Sequence, residues 1–449
     1  MKPMKYLLIN PPVYDFSAFD LWSKPYGFLI LADILKKNSQ DVYYFDFMDR
    51  AHPFCLSGSA DGSPVKHEKK YGTGKYHFTG IEKPPVYRNV PRRYRRFGLP
   101  DHIFSSYLDS ISTPDFIFIT TGMTYWYPGV KETVSAIKKR YPRKPVVLGG
   151  CYATFCPGHA AGLGADMIFQ GGDLSLFLSE FNRIFGTGLR FFPGAQPCWD
   201  VYSRLSYLCV RTTSGCPFSC DYCGIKKLAP DFKKFNPATV AEAVTENCEK
   251  FGVTDIAFYD DALLVDFESH LGRILRLLPA GRYRFHTPNG IHVRYVTPDV
   301  ASALKETGFT TLRLSLEGTE SRVVEASDFK VSLKGFESCL KNLERAGFQK
   351  ENVGIYLLAG LPGQSYEDVF RMVKMLKQYG YPLKLAEYSP IPGTKMFEVV
   401  KKSLPGVQWD EPLLHNNSIY PCWDFPAKWD KIESLKSLSR PPYLSLRGA

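Results

Sequence analysis

The sequence contains no long run of apolar residues and no low-complexity segment. Its amino-terminal stretch, MKPMKYLLINPPVY, has one short apolar run that two prolines stop. A membrane-spanning helix needs roughly 20 apolar residues, and a secretory signal peptide needs a longer apolar region than this stretch offers. We therefore expect no membrane span and a cytoplasmic location.

Regular cysteine pairing is also absent. The 449 residues include 11 cysteines, and outside one short stretch no two of them repeat a CxxC spacing. Such cysteines are more typical of free thiols and metal ligands than of a disulfide framework. Hydrophobic residues make up 44% and charged residues 22%, which is ordinary for a globular protein with a sizeable core. The length favours two domains with additional segments.

The net charge of +11 is concentrated in one part of the chain, and the remainder is close to neutral. Prolines, glycines and aromatic residues interrupt this part without helical or strand periodicity, which indicates a long insertion over residues 50–100. Basic residues among aromatics can bind a nucleic-acid backbone. A surface segment packed on its own domain is the commoner role, and an anionic small substrate is a third explanation. The basic residues are Lys66, Lys69, Lys70, Lys75, Lys83, Arg88, Arg92, Arg93, Arg95 and Arg96, against Glu68 and Glu82.

One short stretch carries the strongest chemical signal. Cys216, Cys220 and Cys223 have CxxxCxxC spacing in a loop interrupted by glycine and proline, and Tyr222 directly precedes the third cysteine. Three thiolates on one loop can hold three irons of a cubane cluster and leave the fourth iron open. A zinc site or a redox pair is the alternative. Zinc would require a fourth ligand at comparable spacing, and none follows nearby.

The stretch Thr212–Cys223 resembles the cluster loop of radical S-adenosylmethionine (SAM) enzymes. The resemblance implies a [4Fe-4S] cluster held by Cys216, Cys220 and Cys223, with its open iron chelated by the amino and carboxylate groups of SAM. In this family the reduced cluster cleaves SAM to a 5'-deoxyadenosyl radical. The resemblance also implies a small-molecule substrate and an electron donor such as flavodoxin or ferredoxin.

Short apolar strands alternate with amphipathic helices, which predicts an α/β fold with parallel sheets. Five strands within residues 1–185 predict a doubly wound, Rossmann-type sheet, whose ligand site lies beyond the carboxyl ends of the strands. Residues 186–204 are the expected linker. Six strands within residues 205–400 predict an open six-fold (β/α) partial barrel, covered by a tail over residues 401–449. The cysteine loop directly follows the first of these six strands.

Glycines and small turns follow the strands of the first series. The arrangement resembles the cobalamin-binding domain that precedes the radical SAM core in a large subfamily, although the chain has no DxHxxG motif to supply a histidine ligand to cobalt. Radical SAM methylases commonly lack that motif too. A domain of the same shape that binds nothing, or that binds the substrate, is the alternative. The residues that the resemblance implies for cobalamin are Asn10, Pro11, Gly122, Met123, Gly149, Gly150 and Gly171.

Polar residues and glycines likewise follow the strands of the second series, where they resemble the SAM-binding segments of the family. Singly, such residues cap helices more often than they bind ligands, but here they occur in register with six strands. The residues implied for SAM are Tyr222, Asp260, Asp261, Asn289, Ser315, Glu317, Gly360 and Tyr388.

No catalytic residue can be assigned from the sequence. His286 and His292 flank the end of the third barrel strand and fit either an acid–base or a structural role. Cys198, Cys209 and Cys422 are the candidates for ligands of an auxiliary cluster, whereas the remaining cysteines fit buried packing positions.

The resemblance implies cobalamin-dependent methylation of an unactivated carbon, in which SAM serves both as the methyl donor to cobalt and as the radical source. One alternative is a cobalamin-independent radical reaction, namely a rearrangement, cyclisation or elimination. Another is an RNA-binding or RNA-modifying iron–sulfur protein, which the basic insertion suggests. No RNA-binding barrel follows Thr394, so nucleic acid is the less expected partner, and no motif identifies the substrate.

Overall fold

The computed structural model describes residues 3–56, 69–318, 323, 325, 327 and 332–440. The chain divides into two compact units, each built around a parallel β-sheet. The first unit comprises the residues up to Ser206 together with Lys227–Ala229 and Gln408–Leu414, and the second comprises Tyr207–Lys226, Pro230–Val407 and the residues from His415. In the described ranges, no helix is both long and apolar enough to cross a bilayer.

Five parallel strands form the sheet of the first unit, in the order β2-β1-β3-β4-β5. This is a doubly wound order, and it reverses direction between β1 and β3, where ligands bind in such sheets. The predicted doubly wound sheet is therefore confirmed. The strands are β1 (Lys5–Asn10), β2 (Asp41–Asp46), β3 (Phe116–Thr121), β4 (Val146–Gly150) and β5 (Met167–Ile168).

Helices cover both faces of this sheet because its strands are apolar at successive positions. In β1, Leu7 and Ile9 belong to one core cluster, whereas Tyr6 and Leu8 belong to another on the opposite face. All four side chains are completely buried, and each contributes about 1.5–3 kcal/mol to folding. The helices are α1 (Tyr26–Lys37), α2 (Asp101–Ser110), α3 (Tyr127–Arg140) and α4 (Leu174–Phe185), with short helices at Pro53–Leu56, Cys151–Phe155 and Pro157–Ala161.

The described part of the basic insertion packs within the first unit through its aromatic residues. Phe16 packs against Tyr87 and Tyr94 with ring centroids 4.9 and 5.2 Å away, and all three side chains are buried. This packing leaves their ring faces unavailable for stacking on nucleic-acid bases. Short strands at Val13–Asp15, Phe78–Gly80 and Arg95–Phe97 form an antiparallel sheet here, and Phe19–Asp20 pairs with Gly74–Lys75.

Charge in the insertion is partly neutralised by local ion pairs. Arg96 is only 8% exposed and pairs with Asp101 and Glu132. By contrast, Lys75 and Arg93 are exposed. Lys66 and Glu68 lie outside the described residues.

In the described residues, the sheet of the second unit has seven parallel strands: six follow one another in chain order across the sheet, and the short strand Ile291–His292 pairs with the fourth of them. This arrangement is the predicted open six-fold barrel. Its strands are β6 (Leu208–Val210), β7 (Asp255–Phe258), β8 (Arg284–His286), β9 (Phe309–Glu317), β10 (Val353–Ala359) and β11 (Leu383–Glu387). Its longer helices are α5 (Pro237–Phe251), α6 (Leu271–Leu277), α7 (Pro298–Glu306), α8 (Leu333–Arg345), α9 (Tyr366–Lys377), α10 (Lys395–Ser403) and α11 (Lys428–Ser439), and a short helix spans Ile225–Leu228.

Helix starts in this unit are fixed by side-chain caps. Asn236, Thr297, Ser332, Ser365 and Thr394 each accept a hydrogen bond from a backbone N–H in the first turn of the helix that follows. Such caps contribute about 1 kcal/mol each and fix where the loop ends. Since each helix begins at the edge where the preceding strand ends, the caps stabilise the loops that carry the candidate site.

The two faces of the barrel sheet differ in chemistry. On one face Leu312, Leu314 and Ile355 are completely buried. On the other face lie residues of opposite parity, among them Arg313 and Tyr356. A sheet with one apolar face packed by helices and one polar face leaves the polar face available for ligands.

Candidate functional site

The three cysteines lie in a loop that directly follows β6. Cys216 is buried, Cys220 is half-buried and Cys223 is exposed. The loop is closed at its base by antiparallel pairing of Thr213–Ser214 with Lys233–Lys234. This pairing brings the two ends of the cysteine segment together, so the loop projects from the carboxyl end of β6.

Asp260 holds the start of the cysteine loop. Its carboxylate oxygens accept hydrogen bonds from the backbone N–H and the hydroxyl of both Thr212 and Thr213, at 2.6–3.1 Å. The residue is 2% exposed. Burial raises the pKa of Asp260, while the hydrogen bonds from Thr213 and Thr212 act to lower it. The structure therefore gives Asp260 a role in positioning the cysteine loop, and its contact with SAM stays a prediction.

An aromatic stack supports the middle of the loop. The ring of Phe218 lies 4.3 Å from that of His292 at an interplanar angle of 27°, and the guanidinium of Arg294 lies 5.2 Å from the Phe218 ring. His292 pairs in register with Ser315 of β9. The stack thus ties the cysteine loop to the segment that follows β8.

Tyr222 links the cysteines to the end of β9. Burial raises the pKa of its hydroxyl, and the charges of Glu317, Cys220 and Cys223 add to the effect. These interactions place Tyr222 close to all three groups. The geometry thus brings Glu317 close to the cysteine loop, whereas the contact of Tyr222 and Glu317 with SAM stays a prediction.

The three cysteines of this loop fit an iron–sulfur cluster better than a metal site that is already assembled before the metal binds. Across the described residues, no three His, Cys, Asp or Glu side chains converge closely enough to form a metal site. Cys216, Cys220 and Cys223 share one short loop, so cluster binding would draw their thiols together. Elsewhere burial raises the pKa of Cys248 and Cys339 to about 12, which leaves little thiolate for metal binding at neutral pH.

The end of β8 packs closely on β9. Asn289 donates a hydrogen bond to the carbonyl of Tyr259, which precedes Asp260 and Asp261. Gly290 has a φ of +83°, and a Cβ there would lie 2.5 Å from the hydroxyl oxygen of Ser315. Only glycine allows this approach, so Asn289, Gly290 and Ser315 form one contiguous surface at the predicted SAM edge.

Glu317 ends β9 in an unusual backbone conformation. Its φ is +65° although it is not a glycine, and the pairing with β10 shifts register between Ser315 and Glu317. The side chain is 8% exposed. Such a conformation costs about 1–3 kcal/mol and is concentrated at functional sites. A β-bulge at the edge of a barrel also redirects a side chain toward a ligand.

The carboxyl end of β10 is covered by the tail. Gly360 has a φ of +93°, and a Cβ there would lie 3.1 Å from the ring of Tyr420. Gln364 accepts a hydrogen bond from the N–H of Gly360, while the indole N–H of Trp423 donates to the Gln364 carbonyl at 2.8 Å. Tyr420 and Trp423, which belong to the segment predicted to be a covering tail, thus close over the loop predicted to contact SAM.

Tyr388 follows β11 and is 3% exposed. Among the described residues its buried hydroxyl has no hydrogen-bond partner. Burial raises the pKa of Tyr388, and the nearby thiol of Cys422 adds to the effect. Tyr388 and Cys422 therefore lie close together, although the sequence separates them by a whole helix.

In the first unit, some of the residues predicted for cobalamin already form contacts within the protein, whereas others border open space. Asn10 donates its side-chain N–H to Asp46 at 2.7 Å, and Tyr202 donates to the other oxygen of the same carboxylate at 2.6 Å. After Pro11, the chain passes so close to α3 that a Cβ on Gly129 would lie 1.8 Å from the Pro12 carbonyl oxygen. The Asn10 amide and this turn are therefore used to build the strand end.

The loop after β3 is partly covered by an indole ring. A Cβ on Gly122 would lie 2.7 Å from Trp126, whose N–H donates to Asp15. The neighbouring Met123 is 45% exposed. A large side chain exposed at the switch point between β1 and β3 is suited to packing against a planar ligand.

The adjacent glycines at the end of β4 differ in their surroundings. A Cβ on Gly150 would lie 2.4 Å from the Thr121 carbonyl oxygen, and its φ is +98°, so the fold requires glycine there. A Cβ on Gly149 would meet nothing within 4 Å. After β5, Gly171 has a φ of +101° and its N–H donates to Thr154. Gly149 thus borders open space, whereas Gly150 and Gly171 shape the backbone.

The remaining histidine and cysteine candidates fit structural roles. His286 is completely buried between Asp255 and Thr311, with hydrogen bonds of 3.0 and 2.8 Å. Cys209 is buried in β6. Cys198 is half-buried and packs at the edge of the first unit's core.

Arg313 and Lys384 were missed by sequence reasoning. They occupy β9 and β11 on the polar face of the barrel sheet. The sequence signal for both was a basic residue between apolar residues in a predicted strand. A strand that is buried on both faces would have no basic residue there.

Residues 210–376 match the model of the Radical SAM superfamily. Among curated proteins, the threonylcarbamoyladenosine tRNA methylthiotransferase MtaB of Thermotoga maritima is 21% identical over 284 residues, or 59% of this chain and 64% of that protein. A second protein, a probable threonylcarbamoyladenosine tRNA methylthiotransferase of Pyrococcus horikoshii, is 22% identical over 53% of this chain and 56% of its own length. The chain thus spans less than two thirds of either relative.

Two solved structures share the fold over most of the chain. One is the radical SAM methyltransferase TsrM from Kitasatospora setae with tryptophan substrate and a SAM analogue, with a TM-score of 0.64, 14% identity, and coverage of 90% of this chain and 77% of that one. The other is the cobalamin-dependent radical SAM enzyme OxsB, with a TM-score of 0.53, 10% identity, and coverage of 92% and 57%. Both likenesses include the first unit as well as the barrel. Residues 210–376 thus carry a Radical SAM domain behind an additional N-terminal domain, and the Radical SAM superfamily uses a [4Fe-4S] cluster and SAM.

Proposed function

We propose that this enzyme uses cobalamin and SAM to methylate an unactivated carbon of a small molecule. The observation that carries the proposal is the likeness to TsrM over 90% of the chain, because it includes the doubly wound sheet as well as the barrel. A second structure of TsrM contains both cobalamin and a [4Fe-4S] cluster. When bound, the cluster and cobalamin would supply the electron that cleaves SAM and the methyl group that is transferred.

Residues of the second unit would hold the cluster and SAM. Cys216, Cys220 and Cys223 supply three sulfur ligands, and Asp260 keeps their loop in place through Thr212. Other residues at the strand ends would bind SAM through hydrogen bonds and backbone contacts. These are Tyr222, Asp261, Asn289, Ser315, Glu317, Gly360 and Tyr388.

Residues of the first unit would hold cobalamin beyond the carboxyl ends of β1, β3 and β4. Met123 offers an exposed apolar side chain, and Gly149 borders open space. Pro11, Gly122, Gly150 and Gly171 would shape the backbone against which the ring packs. Asn10 would act through Asp46, to which its amide is already hydrogen-bonded.

The proposal is tested by anaerobic purification and cluster reconstitution, followed by three measurements on one sample. We expect corrinoid absorbance after incubation with cobalamin, 5'-deoxyadenosine by mass spectrometry after reduction with SAM present, and a trideuteromethyl group on the product when methyl-deuterated SAM is used. Formation of 5'-deoxyadenosine without corrinoid binding would contradict the methylation proposal and favour a rearrangement, cyclisation or elimination.

Variants of the cysteine loop provide matched controls. Cys220→Ala should lose the cluster and 5'-deoxyadenosine formation, whereas Cys248→Ala, at a buried position in α5, should retain both. Retention of the cluster and SAM cleavage by Cys220→Ala would contradict the assignment.

A second candidate, modification of RNA, is favoured by the likeness to two tRNA methylthiotransferases. RNA retention that falls when Lys75, Arg88 and Arg93 are neutralised would support it, since all three side chains are exposed. Two features argue against it, namely the burial of Arg96 in ion pairs and the packing of the insertion's aromatic rings on one another.

A further inference from the structure

Two basic side chains lie on the polar face of the barrel sheet, on β9 and β11, with β10 between them. In the register of the strands, Arg313 pairs with Gly354, Ser315 with Tyr356, and Tyr356 with Lys384. Residues paired across parallel strands project from the same face, so these side chains share a surface that crosses β9, β10 and β11.

The Arg313 side chain is held flat against β10. A Cβ on Gly354 would lie 3.0 Å from its Cδ and 3.2 Å from its Nη1, so the absence of a side chain at Gly354 makes room for the guanidinium. Nη1 donates to the Leu312 carbonyl at 2.9 Å. The guanidinium also hydrogen-bonds the Tyr356 hydroxyl, which donates to the Pro288 carbonyl at 2.9 Å. Among the described residues no partner is found for the remaining N–H groups of Arg313, so they can bind a ligand.

Lys384 lies beside this guanidinium and is exposed. Its surroundings remove part of the hydration of the ammonium group, and the positive charge of Arg313 repels it, so that the pKa of Lys384 is lowered. In the parts of the chain that the structure describes, neither Arg313 nor Lys384 forms an ion pair with a carboxylate. Two neighbouring cations without a counter-charge are unfavourable unless an anion binds between them.

The carboxylates of the surrounding strands are already engaged. Asp255 is held by Arg284 at 2.6 Å and by His286 at 3.0 Å. Glu387 pairs with Lys436 at 2.7 Å, and its position in β11 is of opposite parity to Lys384. The described chain therefore supplies no acidic group to the Arg313–Lys384 pair.

We propose that Arg313 and Lys384 bind an oxyanion, a carboxylate or a phosphate, carried by the small molecule on which this enzyme acts. The guanidinium supplies directed N–H donors, the ammonium supplies a second positive charge, and Tyr356 fixes the guanidinium orientation. This inference rests on the proposed function, because it takes the ligand to be the small molecule that the enzyme methylates.

The position of Arg313 along β9 separates its side chain from the predicted SAM contacts of that strand. Ser315 and Glu317 lie two and four residues closer to the carboxyl end than Arg313 does, which corresponds to about 7 and 13 Å along an extended strand. Arg313 thus lies deeper in the barrel than Ser315 and Glu317, whereas Lys384 is level with Ser315 across β10. A substrate anchored at Arg313 would extend toward the edge of the barrel where Ser315 and Glu317 lie.

Pyridoxal 5'-phosphate is a suitable probe because it carries both an anion and an aldehyde. The neutral amine of Lys384 would attack the aldehyde, lose water to form an imine, and be fixed by borohydride reduction. In the anaerobically reconstituted full-length protein, we expect peptide mapping to identify Lys384 as a major labelled lysine. Pyridoxal, which lacks the phosphate, should label it about tenfold more slowly, because the charge-assisted contact with Arg313 is lost.

Competitors distinguish the source and type of the anion. Benzoate or phenyl phosphate should protect Lys384, and whichever protects at lower concentration identifies the preferred oxyanion, whereas neutral benzamide should not protect. Protection by SAM but by neither oxyanion would mean that the pair binds the SAM carboxylate and would overturn the proposal. Equal labelling by the phosphate and phosphate-free aldehydes would overturn it as well.

Variants test the geometry without relying on activity. Arg313→Gln should reduce Lys384 labelling by pyridoxal 5'-phosphate about tenfold, and Gly354→Ala should reduce it by displacing the guanidinium while both charges remain. Lys374→Gln, at an exposed position in α9, is the matched control and should change nothing. Unchanged melting temperatures would confirm folding, and unchanged labelling in the first two variants would contradict the proposal.

Failure of this inference is separable from failure of the proposed function. The labelling assay requires neither turnover nor corrinoid. If neither anion protects Lys384 but 5'-deoxyadenosine still forms, only the proposed binding of an oxyanion by Arg313 and Lys384 is rejected. If an anion protects Lys384 but no 5'-deoxyadenosine forms, only the proposed reaction is rejected.

Discussion

At the scale of single residues, several side chains predicted to contact cofactors are used to hold the chain together. Asp260 accepts four different donors from Thr212 and Thr213, and Asn10 is hydrogen-bonded to Asp46. Their positions at strand ends could be predicted from the sequence. Their partners could not, because a side chain's direction at a strand end depends on neighbouring loops that periodicity does not describe.

Cysteine reactivity follows from burial. Burial raises the pKa of Cys151 to about 11 and that of Cys248 to about 12, whereas Cys223 is exposed. We therefore expect iodoacetamide at pH 8 to modify Cys223 first in the cluster-free protein, and cluster reconstitution to protect it. Peptide mass spectrometry over time measures this order. Faster modification of Cys248 than of Cys223 would show that the described burial is incorrect.

The pKa of Lys384 predicts a pH profile. Its pKa lies below the ordinary value of 10.5, so a larger fraction of its amine is neutral at a given pH. We expect the midpoint of its labelling by neutral pyridoxal to fall below 10.5 and to rise in Arg313→Gln, since one repelling positive charge is removed. A midpoint that is the same in both proteins would show that the two cations do not interact.

At the scale of elements, the alternation of strands and helices could be predicted from the sequence because buried parallel strands are apolar at nearly every position. The sequence pattern predicts strands over 5–10 and 284–286 and a helix over 174–185, which are the observed bounds of β1, β8 and α4. It also predicts a strand over 167–170, whereas β5 ends at Ile168. β9 extends beyond its predicted range of 311–316 at both ends. The pattern of apolar and polar residues does not predict the bulge at the end of β9. It does not predict the left-handed conformation of Glu317 either.

The loop after β6 should depend on Asp260 for its position. In Asp260→Asn an amide N–H group would face donors from Thr212 and Thr213, and each buried donor left unsatisfied costs about 1–3 kcal/mol. We expect a lower melting temperature and reduced iron content after reconstitution.

Asp231→Asn is the matched control for Asp260→Asn, because the pairing of Asp231 with Lys233 is exposed and contributes little. If Asp260→Asn bound as much iron as the wild type, Asp260 would not be needed for cluster binding.

The end of β4 offers a test of the cobalamin edge. A side chain at Gly149 would enter open space, so Gly149→Leu should fold normally but bind less corrinoid. Gly150→Ala should instead destabilise the fold, because its Cβ would lie 2.4 Å from the Thr121 carbonyl oxygen. Corrinoid titration and thermal unfolding measure the two effects. Full corrinoid binding by Gly149→Leu would exclude this strand end from the cofactor site.

At the scale of the whole molecule, the two-sheet organisation and the position of the cysteine loop were predictable, because each depends on strand order and spacing alone. The packing of the basic insertion was not, since its buried rings, such as Tyr87 and Tyr94, show no periodicity. A covering tail was predicted, but the contact of Tyr420 with Gly360 was not, because Tyr420 lies 60 residues further along the chain. Long-range contacts of irregular segments are what sequence patterns describe least.

The most direct test of the central claim is electron paramagnetic resonance of the reduced, anaerobically reconstituted protein with and without SAM. Cys216, Cys220 and Cys223 supply only three ligands to a four-iron cluster, so SAM should bind the remaining iron and change the g-values of the spectrum. We expect this change in the wild type and in Cys248→Ala. A [4Fe-4S] spectrum that is unaffected by SAM would contradict the account.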